Sequence, residues 1–129
     1  MKREAIQTDN APKALGPYSQ AIRHGGLLFV SGQLGLDPVA GHFAGDDIES
    51  HVNQALSNVE AICLEAGTSV QLALKLTLYL QDLSDLAAVN RAIEANLTAP
   101  YPARATIQVA GLPLGALIEI DAIVALHAE

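Results

Sequence analysis

The sequence predicts an α+β fold, one mixed sheet carrying two helices on a single face. Three patterns predict it. Apolar residues recur at helical spacing in two separate segments, leucines alternate with polar or small residues between them, and strand-like runs with turn residues lie at both ends of the chain.

The elements follow in order. "PYSQAIRHGGLLFVSGQLGLDP" holds two strand-like runs around Gly25-Gly26, a dipeptide that accepts the positive φ of a tight turn, so a hairpin is expected from about Ser19 to Gln33. From Asp46 to Ala66 the residues Ile48, Val52, Ala55, Leu56, Val59, Ile62 and Cys63 form one helical stripe, with Asp46 or Asp47 at its start and Gly67 beyond its end. Leu72, Leu74, Leu76, Leu78 and Leu80 then alternate with Ala73, Lys75, Thr77, Tyr79 and Gln81, the period of two of a strand. A second helix is expected from about Ser84 to Leu97, burying Leu86, Val89, Ile93 and Leu97. The last segment, "ARATIQVAGLPLGALIEIDAIVAL", reads as two strands joined in a hairpin by the turn-rich "GLPLG". No repeat, low-complexity tract or linker interrupts this order, so one domain over 1–129 is expected.

Composition narrows the function classes. Half of the residues are apolar and only 16% are charged, which suits a chain that buries a core. The net charge of -7 argues against nucleic acid or an anionic membrane as a partner, because phosphate binding depends on Lys and Arg. The single Cys63 has no partner for an internal disulfide, and no signal-like apolar segment opens the sequence, so a cytoplasmic protein is expected. The run "LALKLTLYL" alternates and contains a lysine, which argues against a membrane span. The histidines His24, His42, His51 and His127 lack ligand spacing, so no metal site is expected.

Two helices cover one sheet face, and the leucines together with Ile118, Ile120, Ala122, Val124 and Leu126 suit that face. The other face is expected to carry Lys75, Thr77 and Tyr79, then Arg104, Thr106 and Gln108, then Glu119 and Asp121. Such a face is not freely solvated, and cover by a second copy in a closed homo-oligomer is the expectation. In one register of a terminal hairpin centred on "GLPLG", Thr106 would lie opposite Glu119 and Arg104 opposite Asp121, and registers shifted by two residues leave Arg104 within reach of both acids. A cation and a carboxylate would then share one site, as a structural ion pair or as a catalytic one.

The stretches "GPYSQAI", "LLFVSGQLGLDPVAG", "NVEAICLEAG", "LYLQDLSDLAAVN", "YPARATIQVAGLP" and "IEIDAIVAL" together resemble the RidA (YjgF) family of small enamine/imine deaminases, in order from about Asn10 to Leu126. The resemblance implies a chorismate-mutase-like trimeric fold, a homotrimer with sites in clefts between subunits. It implies hydrolysis of 2-imino or 2-enamino acids, such as 2-aminoacrylate, to 2-keto acids and ammonia, with no cofactor. Arg104, of "PAR", would grip the substrate carboxylate through its bidentate fork. Glu119, of "IEI", would hold and activate water or relay protons. Thr106 stands where many members have cysteine, and Tyr18, Ser31 and Asn90 match further substrate-binding positions. The segment between Asn90 and Arg104 is shorter than in typical members.

Each position also has a plainer reading. Tyr18 could pack across a strand end, Ser31 could be an ordinary strand-end residue, and Asn90 could face solvent on its helix. Cys63, on the apolar helix stripe, reads as inert core, and Asp121 as an ion-pair or interface residue. The alternative function is a non-catalytic trimeric module that binds small carboxylates or proteins. Ribonuclease activity, attributed to some members of the family, fits the acidic charge least well.

Overall fold

The computed structural model describes residues 2–127, so residues 1, 128 and 129 of the expected 1–129 domain lie outside the described residues. The main elements are β1 (Glu4–Ile6), β2 (Ala21–His24), β3 (Leu27–Leu34), α1 (Ile48–Glu65), β4 (Ala73–Leu80), α2 (Leu86–Asn96), β5 (Ala103–Gln108) and β6 (Ile118–Ala125). All six strands form one sheet in the order β1-β2-β3-β6-β4-β5. The β2–β3 hairpin turns at Gly25, with φ of +61°, as the glycine pair predicts.

Helix α1 buries Val52, Ala55, Leu56, Val59, Ile62 and Cys63, the stripe read from the sequence, and α2 adds Val89, Ala92 and Ile93. These residues pack on Leu28, Val30, Leu76, Leu78, Leu80, Ile118, Ile120, Ala122 and Val124 from the sheet, forming one core on one face. Burying that much aliphatic surface is what holds the helices to the sheet. The alternation of β4 breaks at its start. A register irregularity between Ala73 and Lys75 leaves Leu74 exposed, so only Leu76, Leu78 and Leu80 of the expected leucine face are fully buried.

The terminal hairpin does not form, and with it falls the register that set Thr106 opposite Glu119 and Arg104 opposite Asp121. Strand β5 pairs parallel with β4, placing Leu76 opposite Arg104 and Leu78 opposite Thr106. Strand β6 instead fills the slot between β3 and β4, antiparallel to both, with Tyr79 opposite Glu119 and Thr77 opposite Asp121. The reason is the β4-α2-β5 crossover. A helix-connected pair of strands is parallel, so β5 lies beside β4 at the sheet edge, and "GLPLG" reverses the chain across the end of β4 into the slot on its far side rather than into a hairpin with β5. Arg104, Thr106 and Gln108 therefore share the side of Leu76, Leu78 and Leu80, not that of Glu119.

Candidate functional site

The sequence-predicted site residues fall into two separate places. Strand β4 stands between β5 and β6, which sets those strands about 10 Å apart. The residue of β5 level with Glu119, through Tyr79, is Ile107, which leaves Arg104 roughly another 10 Å along the sheet. With their side chains on opposite faces, Arg104 and Glu119 of one chain do not share a site.

The first place is a hollow of about 190 Å³ between the β5 edge and α2, lined by residues that include Leu76, Asn90, Ile93, Tyr101 and Arg104. The exposed Arg104 guanidinium donates from Nη1 to Asn90 Oδ1 at 2.7 Å, so Asn90 faces the arginine rather than open solvent. A guanidinium held by one amide keeps donors free, and a planar fork suits a carboxylate. Thr106 is half-buried on the same strand face, and its Oγ1 is buried without a hydrogen-bond partner among the described residues.

The second place is a pocket of about 340 Å³ where the N-terminal loop, the end of β3, the 3₁₀ turn Pro113–Gly115 and β6 meet. Glu119 lies in it with Tyr18, Gly32, Gln33 and Leu114. Gly32 sits at an irregularity of β3 between Val30 and Gln33, and a Cβ there would come within 2.3 Å of Glu119 Oε2. Only glycine leaves room for the carboxylate in this position. Burial raises the Glu119 pKa above its usual value, and the nearby charge of Asp121 raises it further. Asp121 itself accepts a 2.8 Å hydrogen bond from the Tyr79 hydroxyl, which in turn raises the tyrosine pKa. Asp121 thus pairs with Tyr79 and not with Arg104.

Ser31 is placed beside this pocket. Its hydroxyl donates to the Ser19 carbonyl at 2.6 Å, while its amide donates to Gln20 O, so it ties β3 to the segment that presents Tyr18. Buried Gln20 continues the tie by accepting from Thr8 N and donating to the carbonyls of Thr8 and Pro12. On the opposite wall the buried Asn58 donates to Leu34 O and Leu36 O, clamping the end of β3 onto α1. Sequence reasoning missed Gly32, Gln20 and Asn58 as builders of the pocket. The signal for the first was the glycine inside "SGQ"; for the amides the sequence carries no such signal.

Cys63 belongs to neither place. Burial, with a smaller contribution from Glu60, pushes its thiol pKa up to about 12, as befits an inert core residue. His51 is buried and stacked on Phe43 with ring centroids 4.6 Å apart.

Beyond the site, the sheet face away from the helices exposes Phe29 and Ile107 beside half-buried Tyr79 and Ile123. Among the described residues, no helix is long and apolar enough to cross a membrane.

Comparisons with known proteins agree with this architecture. A family model described as Endoribonuclease L-PSP matches residues 8–126. The chain is 44% identical over 126 residues to "Reactive Intermediate Deaminase A, chloroplastic" of Arabidopsis thaliana, covering 98% of this chain and 67% of that protein. It is 42% identical over 123 residues to "2-iminobutanoate/2-iminopropanoate deaminase" of Salmonella typhimurium, covering 93% and 95% of the two. Among solved structures, RidA from the Antarctic bacterium Psychrobacter sp. matches with a TM-score of 0.91 at 44% identity, over 95% of this chain and 98% of that one.

Proposed function

This chain belongs to the family described as Endoribonuclease L-PSP, to which the RidA-type sequence motifs point, and from that premise we propose that it is an enamine/imine deaminase. Its substrates are reactive 2-imino and 2-enamino acids, and its products are 2-keto acids and ammonia. The observation that carries the reading is Glu119, a carboxyl of raised pKa lodged against Gly32 in a concave pocket. Two relatives at 42% and 44% identity bear deaminase names, one of them naming 2-imino acids.

The reaction asks little of the protein. An enamine such as 2-aminoacrylate gains a proton at its methylene carbon, gives one up from nitrogen and becomes the imine. Water then adds its oxygen to the electrophilic imine carbon. Glu119 takes a proton from that water and passes it to nitrogen; the carbon–nitrogen bond of the resulting carbinolamine breaks, its hydroxyl proton follows, and ammonia leaves. Both hydrogens of water end on nitrogen and its oxygen on the keto acid. Orientation and proton transfer are the contributions required, and the balance closes without a cofactor.

Arg104 supplies the carboxylate anchor, and it does so from a second copy of the chain. The two half-sites within one chain lie too far apart to act together, and the sheet face away from the helices carries exposed Phe29 and Ile107, a surface suited to a neighbouring subunit. A homotrimer with three sites between subunits satisfies both observations. Tyr18, Ser31 and Glu119 then contribute from one subunit, and Arg104, Thr106 and Asn90 from the next.

The competing reading, a non-catalytic module that binds small carboxylates or proteins, also uses Arg104, so turnover separates the two. Ribonuclease chemistry, although named in the family description, is disfavoured by the net charge of -7. The test generates imine from an amino acid with an amino-acid oxidase in the presence of semicarbazide. Added protein lowers the rate of semicarbazone formation if it hydrolyses the imine; an unchanged rate with a well-folded oligomer sinks the proposal.

A further inference from the structure

The Glu119 pocket has a wall that the hydrolysis itself does not use. Leu114, on the 3₁₀ turn Pro113–Gly115, lines the pocket yet is 72% exposed. Its backbone is left-handed, with φ 60° and ψ 17°, the positive-φ conformation that glycine adopts freely and leucine does not. The N-terminal loop lines the same pocket with Leu15, which is 91% exposed. Leu34 and Leu36 complete the wall, and the buried Asn58 amide fixes the carbonyls of both. Large aliphatic side chains held at a pocket mouth, one of them on unfavourable backbone, mark a binding surface rather than a chance exposure.

We infer that this leucine wall receives the side chain of the substrate, and that the enzyme prefers 2-imino acids with branched aliphatic side chains over the alanine- and serine-derived ones. The inference rests on the deaminase reading and deepens it. An imine carbon bears three groups: the carboxylate, the nitrogen and the side chain. With the carboxylate on the arginine and the attacked carbon beside Glu119, the side chain is the one apolar substituent left to place. The leucines, with Pro12, Tyr18 and Pro113, form the apolar lining of the pocket that holds Glu119 and Lys13, and about 340 Å³ is room for more than a methyl group. Leu114 is then a specificity-determining residue, and Leu15 its counterpart on the N-terminal loop.

The experiment compares imines generated by an amino-acid oxidase from alanine and from leucine, trapped with semicarbazide, for the wild-type chain and for Leu114→Gly. Glycine removes the side chain and suits φ 60°, so this variant keeps the turn and the fold. The wild type should show the higher kcat/KM with the leucine-derived imine. In Leu114→Gly the ratio of leucine-derived to alanine-derived kcat/KM should fall about tenfold, the scale of a lost aliphatic contact in a specificity pocket. Leu15→Ser should lower the same ratio by a smaller factor. An unchanged ratio in Leu114→Gly overturns the inference. So does an equal fall for both imines with a change in oligomer mass, which would make Leu114 a subunit contact. Hydrolysis of the alanine-derived imine without preference for the leucine-derived one defeats this inference alone, whereas hydrolysis of neither defeats the deaminase reading as well.

Discussion

The Arg104 hollow and the Glu119 pocket are built in opposite ways. Arg104 stands exposed on an edge strand, steadied by one hydrogen bond from its Nη1 to Asn90. Glu119 lies on an interior strand, half-buried, pressed against Gly32 and raised in pKa by burial and by Asp121. A lone chain therefore holds a carboxyl whose ionisation is disfavoured and a guanidinium with donors to spare. Each supplies what the other lacks, and strand β4 keeps them apart within one subunit. The lesson is that one chain does not bring Arg104 and Glu119 together, so the proposed deaminase site needs a second copy.

The largest effects test that division. Arg104→Ala should lower kcat/KM for carboxylate-bearing imines by about 30- to 1,000-fold, the equivalent of about 2–4 kcal/mol for a desolvated charge contact. Glu119→Gln should lower kcat roughly 100-fold or more while the oligomer persists. When the two inactive variants are unfolded together at equal amounts and refolded, about one quarter of wild-type activity should return, because one site in four then pairs an intact arginine with an intact glutamate across a subunit boundary. Absence of recovery in mixed oligomers verified by mass would place both residues in one subunit's site and break the comparison.

A smaller effect sharpens the Glu119 side. Gly32→Ala adds a Cβ where the carboxylate now sits, and the flexible end of Glu119 can yield, so the fold should survive with the acid displaced. Misplacement on this scale should lower kcat about tenfold to 100-fold, with little change in thermal midpoint. Equal activity in the variant would show that the carboxylate position is not what the pocket is built for.

Smaller still is the contribution of Asp121. A general base works when deprotonated, so activity should rise with pH through the Glu119 pKa, which burial places above the ordinary 4.5. The charge of Asp121 raises that pKa further, hence Asp121→Asn should move the acidic limb of the kcat/KM profile to lower pH while kcat stays within about tenfold. Glu119→Gln should lack this limb. A limb that Asp121→Asn leaves in place would assign it to another group. On the Arg104 side, Asn90→Ala should raise KM a few-fold with little loss of kcat, since it frees the guanidinium without removing it.

Much of this molecule was legible before any coordinates. Both helices, the β2–β3 hairpin and the buried faces of β4 and β6 follow from periodicity, because the period of apolar residues reports directly which face meets the core. Arg104 and Glu119 stood out by residue type and motif and Asn90 through the family resemblance alone, and the structure places Arg104 with Asn90, and Glu119 with Tyr18. What the sequence misassigned was adjacency. Two strands joined by a turn-rich link read as a hairpin, and nothing local to "GLPLG" says that β6 will pass β4 and pair with β3. That choice is made by the parallel β4-α2-β5 crossover and the open slot between β3 and β4, contacts between residues far apart in the chain. Periodicity by itself determined the apolar faces of the helices and of most of β4 and β6, and residue types determined which chemistry the chain carries. Only the tertiary structure decided that Arg104 and Glu119 face opposite sides of one sheet, because strand order and register are properties of the whole sheet and not of any strand in it.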